Sequence, residues 1–261
     1  MRVSLIISTY NWPESLILVL KSIENQIIFP EEVVIADDGS TFETKEIIAK
    51  FQKDSDLNII HSWHEDNGFR VARARNKAIV KSSGDYIILI DGDTILHSRF
   101  IQDHINNAEP GYFIQGSRIL LTDNKTKQII RNQSINFSFF SEGMQSRKNS
   151  IHSNFLSKIF STIQNSLRGS RCCNFAFFKQ DCINVNGFNN EFEGWGREDS
   201  EFVVRLFNVG LNRKNLRFNA VQYHLWHKEI DRRSLDYNNQ LLKNSIEYKL
   251  TACKKGINEY I

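Results

Sequence analysis

Tyr86-Ile87-Ile88-Leu89-Ile90-Asp91-Gly92-Asp93 runs from a solid apolar stretch straight into two carboxylates separated by one glycine. An apolar run without alternation reads as a strand buried on both faces, the pattern of a parallel sheet covered by helices. The same design recurs upstream. Val3 to Ile7 is a short apolar run, and Glu32 to Ala36 is another that ends in Asp37-Asp38-Gly39-Ser40. Leu57 to His61 reads as a further strand. Helical patterns fill the gaps: Glu14 to Gln26 behind Pro13, residues 42–53 with Ile47, Ile48 and Phe51 on one face, and Val71 to Ser82. This order predicts an α/β chain with a Rossmann-like, mostly parallel central sheet flanked by helices. The polar turns then fall at the C-terminal ends of the strands, where open α/β sheets bind ligands.

Composition narrows the classes. A net charge of +3 is too mild to imply nucleic acid, and no nucleic-acid partner is expected. The four cysteines show no CxxC spacing, which suggests neither a zinc site nor a disulfide framework and predicts reduced, mostly buried thiols in a cytosolic protein. The first apolar run is too short for a signal peptide, and no run approaches the roughly 18 residues of a membrane span.

The second half is less regular. Residues 111–142 suggest strands. Residues 143–171 carry Arg147, Lys148, Lys158, Arg168 and Arg171 with almost no acid, and Ile151, Phe155, Leu156, Ile159, Phe160 and Ile163 follow a helical period. Cations beside an apolar stripe suit a membrane surface. The other reading is a core-packed helix with a wet basic face. Beyond Trp226 the tail is polar and helical. The expected organisation is a first half (1–110) that carries the strand-end turns, a second half (111–227) and a helical tail (228–261) in the same globular unit.

Four constellations carry chemistry. Asp91 and Asp93 offer hard oxygen donors suited to Mg²⁺ or Mn²⁺, although such a pair also reads as a solvated turn. His224-Leu225-Trp226-His227 places two imidazoles three residues apart; in a helical turn both face one way, and imidazole with carboxylate points to Mn²⁺ rather than Mg²⁺. Asn67-Gly68-Phe69-Arg70-Val71-Ala72-Arg73-Ala74-Arg75-Asn76 opens a helix with three arginines, either a basic solvated face or an anion site for a nucleotide. Gly194-Trp195-Gly196-Arg197-Glu198-Asp199 sets two carboxylates ahead of the apolar stripe Phe202, Val203, Leu206 and Val209. Carboxylates favour a helix N-terminus, yet an acidic first turn alone does not need a flat ring between two glycines.

Together these residues resemble family 2 glycosyltransferases of GT-A fold. Ile6-Ile7-Ser8-Thr9-Tyr10-Asn11, Asp37-Asp38-Gly39-Ser40, Ala74-Arg75-Asn76 and Asp91-Gly92-Asp93 match in type, order and spacing. From Cys173-Asn174 through Val185-Asn186-Gly187-Phe188 to Gly194–Asp199 the chain is similar to the galactosyltransferase C-terminal module of β-1,4-galactosyltransferases and bacterial chondroitin-type polymerases. The resemblance implies that Thr9, Tyr10, Asp37 and Asp38 hold the uridine end of a UDP-sugar. Phe69 and Asn76 match a nucleotide motif whose arginine falls here on Val71, with Arg70 or Arg73 as substitutes; Arg75, Asp91 and Gly92 complete that set. Asp91 and Asp93 would bind Mn²⁺ (Mg²⁺ as the alternative), joined by His224 or His227. Trp195 would stack on sugar beside Gly196 and Arg197, the latter replacing a usual glycine. Glu198 would bind sugar hydroxyls, and Asp199 would be the general base.

One base without a separate nucleophile implies single displacement, hence inversion and a β-glycoside from an α-linked donor. The implied enzyme moves galactose or N-acetylgalactosamine, with glucose as the alternative, from a UDP-sugar to a hydroxyl of a glycan or lipid-linked acceptor. The implied setting is bacterial lipopolysaccharide or capsule synthesis, in the cytoplasm or peripherally on the inner face of its membrane. Two competitors remain. A sugar-phosphate nucleotidyltransferase usually needs a Gly-rich N-terminal loop, which Ser8-Thr9-Tyr10-Asn11 is not. A catalytically dead nucleotide-sugar or glycan-binding module would not need Asp91, Asp93 and Asp199 together.

Overall fold

The computed structural model describes residues 1–228 and 232–261. In chain order its elements are β1 (Val3–Thr9), α1 (Pro13–Glu24), β2 (Glu32–Asp37), α2 (Phe42–Asp54), β3 (Ile59–Trp63), α3 (Val71–Lys81) and β4 (Tyr86–Asp91). The second half continues with β5 (Thr94–Leu96), α4 (Phe100–Asn107), β6 (Tyr112–Gln115), β7 (Ile119–Leu121), α5 (Asp123–Asn132) and β8 (Met144–Gln145). Then come α6 (Asn154–Phe160), β9 (Thr162–Ile163), β10 (Asn174–Phe178), α7 (Lys179–Asn184), α8 (Glu198–Asn208), β11 (Asn212–Asn215), β12 (Gln222–His224) and α9 (Leu235–Glu247).

One sheet runs β3-β2-β1-β4-β10-β6-β11-β9. The first four strands are parallel, and β10 inserts antiparallel between β4 and β6. The sheet therefore crosses residue 110 without a break, and the two sequence halves share one core layer. Its strands are apolar on both sides, so alternate residues feed two cores. Leu5, Ile7 and Ile35 meet Leu16, Val19, Leu20 and Ile23 of α1 on one face. Ile6, Val34 and Leu89 meet Ala78 and Ile79 of α3 and Phe202, Val203 and Leu206 of α8 on the other. A smaller sheet, β5-β12-β7-β8, packs its own cluster around Ile95, Ile119, Tyr223 and Leu225.

The strand and helix expectations for the first 91 residues match these elements closely. The second half departs in three places. The stretch 111–142, expected as strands, also holds the helix α5. Thr122 caps it by accepting the Lys125 N–H (3.4 Å), and Ile129 and Thr126 turn inward. The apolar period from Ile151 to Ile163 yields only the short α6. The chain becomes extended at Ser161, because Thr162 and Ile163 pair with Asn215 and Lys214 of β11. His224 lies on a strand rather than in a helical turn, since Gln222–His224 pairs with both β5 and β7. All four cysteines are free and buried, and burial pushes the Cys182 thiol up to about 12. No described helix is long and apolar enough to cross a membrane.

His104 of α4 is fully buried, with Nε2 on Asn174 Oδ1 (3.0 Å) and Nδ1 without a partner. Burial pushes the imidazole down from 6.5 to about 4. Between those values the unfolded chain takes up a proton that the folded one refuses, so stability falls as pH falls. The contribution is complete above pH 6.5, is lost as pH drops through 4, and is worth about 3 kcal/mol. Urea unfolding of His104→Gln should show a flatter acid limb across that window than the parent; an unchanged slope would refute this assignment.

Candidate active site

The site follows from register. Thr9 of β1 stands beside Asp37 of β2, and Asp37 beside Trp63 of β3. Ser8 stands beside Asp91 at the end of β4. Parallel strands thus bring Thr9, Asp37 and Asp91 to one edge of the sheet. At Gly92 the chain turns so close to β1 that an added Cβ would lie 2.9 Å from the Ser8 carbonyl oxygen. The antiparallel β10 begins at this same edge, which places Cys172 and Cys173 there, and α8 points its N-terminus at it.

Arg75, on the inward face of α3, is the centre of this edge. Its Nε donates to Ser8 Oγ (3.1 Å) and its Nη1 to Asp199 Oδ1 (2.7 Å). Nη2 reaches Asp91 Oδ1 at 3.4 Å, and Nη1 lies 3.6 Å from Glu198 Oε1. The guanidinium also sits over the Phe188 ring, 5.3 Å from its centroid. Burial alone would lower its pKa, but Asp199, Asp91 and Glu198 outweigh this and hold it above its ordinary value. The second Asp199 oxygen accepts the Cys172 N–H (2.8 Å). Glu198 behaves differently: burial, with Asp199 adding to it and Arg75 opposing, pushes it up to about 8. Burial thus favours the neutral, hydrogen-bond-donating form of Glu198. Burial also raises Asp91, against the pull of Arg75.

A second cluster sits across the Asp91-Gly92-Asp93 turn. Asp93, His224 and His227 bring one ligand atom each within 4.8 Å of one another. His224 Nε2 lies 3.5 Å from Asp93 Oδ1, and His227 Nε2 lies 3.4 Å from Asp93 Oδ2. In each ring Nδ1 faces a backbone carbonyl, of Leu225 (2.7 Å) and of Lys228 (2.8 Å). Nδ1 therefore carries the proton of the neutral ring, and the Nε2 lone pair faces the carboxylate. Asp93 Oδ1 is buried and makes no hydrogen bond. An unpartnered carboxylate oxygen beside two Nε2 lone pairs fits a divalent cation, and both rings face Asp93. Asp91 is not part of this group; its contact is Arg75.

The expected nucleotide residues divide. Asp37 accepts Ser40 N–H (2.7 Å) and faces His61 Nε2 (2.8 Å). Asp38 faces His64 Nε2 (2.7 Å) and accepts the Arg70 N–H (2.7 Å). Both carboxylates thus brace the rim, and His61 and His64 are partners that sequence reasoning missed. Tyr10 is exposed and donates to Asp66 (2.9 Å). Asn76 offers nothing to a ligand: it is fully buried and exchanges hydrogen bonds with Phe188 (2.7 and 2.8 Å). The Phe69 carbonyl accepts the Gly194 N–H (2.9 Å), and Arg73 pairs with Glu193 (3.3 Å). These contacts tie the start of α3 to the Gly194–Asp199 loop.

That loop is tightly constrained. Gly194 has φ +71°, and a Cβ there would lie 2.3 Å from Ser234 Oγ. Arg197 adopts φ +79° without being glycine and donates from Nε to Asn239 Oδ1 of α9 (2.7 Å). Trp195 remains exposed, with Arg232 over its ring at 5.0 Å. Sequence reading placed α9 as a tail but missed that it buttresses this loop.

Residues 4–164 match the family model described as glycosyl transferase family 2. The chain belongs to glycosyl transferase family 2. Residues 155–228 match a model described as the N-terminal domain of galactosyltransferase, so the galactosyltransferase likeness lies in the second half. Among curated proteins, the chain is 26% identical to a chondroitin synthase of Escherichia coli, over 85% of this chain and 34% of that protein. It is 24% identical to the GalNAc(5)-diNAcBac-PP-undecaprenol beta-1,3-glucosyltransferase of Campylobacter jejuni, over 80% of this chain and 64% of that one. The chain thus spans about a third of the first relative's length. Among solved structures, S. aureus TarS 1–349 in complex with UDP-GlcNAc superposes with a TM-score of 0.57 at 19% identity, covering 88% of this chain and 60% of that chain. The fold is that of a GT-A glycosyltransferase.

Breaking a buried charge cluster from one side is costly. Arg75→Gln should destabilise the chain by about 3–5 kcal/mol in urea unfolding, because Asp91 and Asp199 lose their shared cation. Arg75→Lys, a point charge without the planar fork, should recover part of that. Equal stability of parent and Gln variant would show that the cluster is not coupled to the fold.

Proposed function

We propose that the chain is an inverting, cation-dependent glycosyltransferase that moves a sugar from a UDP-sugar to a hydroxyl of a glycan or lipid-linked acceptor. Asp93, facing His224 and His227 with a buried unpartnered oxygen, carries this reading. Those three residues would hold the divalent cation, Mn²⁺ by their imidazole content. When bound, the cation supplies Lewis-acid stabilisation of the leaving diphosphate. Asp199, fixed by Arg75 and by the Cys172 N–H, would accept the proton of the attacking hydroxyl. Glu198, whose neutral form burial favours, would bind a sugar hydroxyl, and the exposed Trp195 offers a flat apolar face to a sugar ring. With Asp199 as the base, the acceptor hydroxyl would attack directly in a single displacement, with inversion at the anomeric carbon.

The named relatives and the TarS complex support sugar nucleotides as donors. Galactose and N-acetylgalactosamine come first on the galactosyltransferase likeness, with glucose next. A lipid-linked acceptor, such as the Campylobacter relative's name specifies for that protein, would bring the enzyme to a membrane surface during lipopolysaccharide or capsule assembly.

A panel of UDP-sugars assayed with Mn²⁺, with Mg²⁺ and with chelator tests the reaction. Transfer or donor hydrolysis should require the cation, and chelator-resistant activity would sink the cation assignment. Asp199→Asn retains a group to accept from Cys172 but removes the base. It should lower transfer by at least about a hundredfold while UDP binding, read by calorimetry, stays within a few-fold. Transfer near the parent rate in that variant would remove Asp199 from the role.

A further inference from the structure

We propose that α6 and β9 form a docking surface for an anionic lipid bilayer. Four large apolar side chains stand out from this short stretch: Phe155 is 72% exposed, Ile159 56%, Phe160 50% and Ile163 58%. Scattered apolar residues on a surface are ordinary, but these fall within nine residues of chain. Phe155 and Ile159, four apart, share a helical face. Of α6 only Ser157 is buried, so the periodicity that resembles a core stripe faces no core. Phe160 extends the patch to Phe218, with ring centroids 5.7 Å apart, and the Arg217 guanidinium lies over Phe218 at 5.9 Å.

Charge decides the occupant. Residues 143–171 hold Arg147, Lys148, Lys158, Arg168 and Arg171 and not one Asp or Glu. Lys158 sits inside the apolar patch, exposed, and Arg217 borders it. A second copy of this chain would set the same cations against each other without a carboxylate from this stretch to offset them. An anionic headgroup layer meets the cations and receives the rings in its acyl boundary, a combination that a neutral surface cannot supply. The placement also suits the site. Nine positions after Ile163 the chain reaches Cys172, whose N–H holds Asp199 (2.8 Å). In the sheet β9 is the outer strand, three strands from β10, and the connection between the two carries the residue that holds Asp199. This deepens the lipid-linked acceptor reading but does not depend on transfer, because binding to lipid is measured without a donor.

The test is co-sedimentation of the purified protein with vesicles of phosphatidylcholine alone and of phosphatidylcholine with phosphatidylglycerol, at low and high salt. Binding should require phosphatidylglycerol and weaken with salt. Lys158→Glu/Arg168→Glu should lower the partition coefficient by at least about fivefold per cation removed. Phe155→Ser/Ile159→Ser should lower it by tenfold or more, with unchanged melting temperature because both side chains are exposed. Transfer to a water-soluble acceptor should be unaffected in either variant. The proposal is overturned by equal binding to neutral vesicles, by no binding at low salt, or by variants that bind like the parent. It is also overturned if the parent is a dimer that Phe155→Ser/Ile159→Ser dissociates, which would make the patch a self-interface.

Discussion

The interaction on which the site depends is the burial of one guanidinium among carboxylates from different elements. Arg75 comes from α3, Asp91 from the end of β4, and Glu198 and Asp199 from the first turn of α8. Moving such a cation out of water costs several kcal/mol, and only close, well-oriented partners offset that cost. Each element is thus held where its charge is needed. The planar fork matters, because Nε, Nη1 and Nη2 address three elements at once: Ser8 on β1, Asp199 on α8 and Asp91 on β4.

A second buried network fixes α8 from below. Arg205 makes a two-pronged pair with Glu201 (2.8 and 2.7 Å), and another of its nitrogens donates to the Gly187 carbonyl (2.8 Å). Ser245 of α9 donates to the same Glu201 (2.8 Å). Asn76, one residue after Arg75, bonds to Phe188 and to Asn190 (2.9 Å). The loop 185–190 is therefore gripped by α3 on one side and by α8 on the other. The N-terminus of α8 is consequently positioned by the core, and Asp199 needs no loop closure to meet Arg75. The strained Arg197 fits this picture. A residue at φ +79° persists only where its surroundings over-determine it, here by Asn239 and the rigid start of α8.

Where physics is local, the sequence was readable. The apolar runs at Val3–Ile7, Glu32–Ala36 and Tyr86–Ile90, each followed by polar turns, specify the parallel sheet and the polar edge at its C-terminal end. The Gly194–Asp199 hexapeptide marked the start of α8. Pairing between distant residues was not readable. Nothing local says that Arg75 reaches Asp199, 124 positions away, or that His61 and His64 occupy Asp37 and Asp38. The motif around Asn76 implies a ligand contact, whereas its amide satisfies the buried backbone of Phe188. The helical period from Ile151 to Ile163 failed at Ser161, where a tertiary strand pairing with β11 outweighed a weak local preference. His224 was misplaced for the same reason: a three-residue strand held on both sides has no signature of its own.

The two carboxylates of Asp91-Gly92-Asp93 lie two residues apart and have opposite electrostatic situations. Asp91 already has a cation, Arg75, and shares it with Asp199. Asp93 has none: its neighbours are two imidazoles whose protons are turned away toward the carbonyls of Leu225 and Lys228. A buried carboxylate oxygen without a donor costs about 1–3 kcal/mol, a cost a folded chain retains where a ligand offsets it. The glycine between them permits this division. Its missing Cβ lets the turn press against Ser8 and Thr9, so Asp91 is directed to one side of the turn and Asp93 to the other. A divalent ion beside Asp93 would displace none of the protein ion pairs that hold Asp199. The charges that build the site and the charges left to bind are thereby separated within three residues.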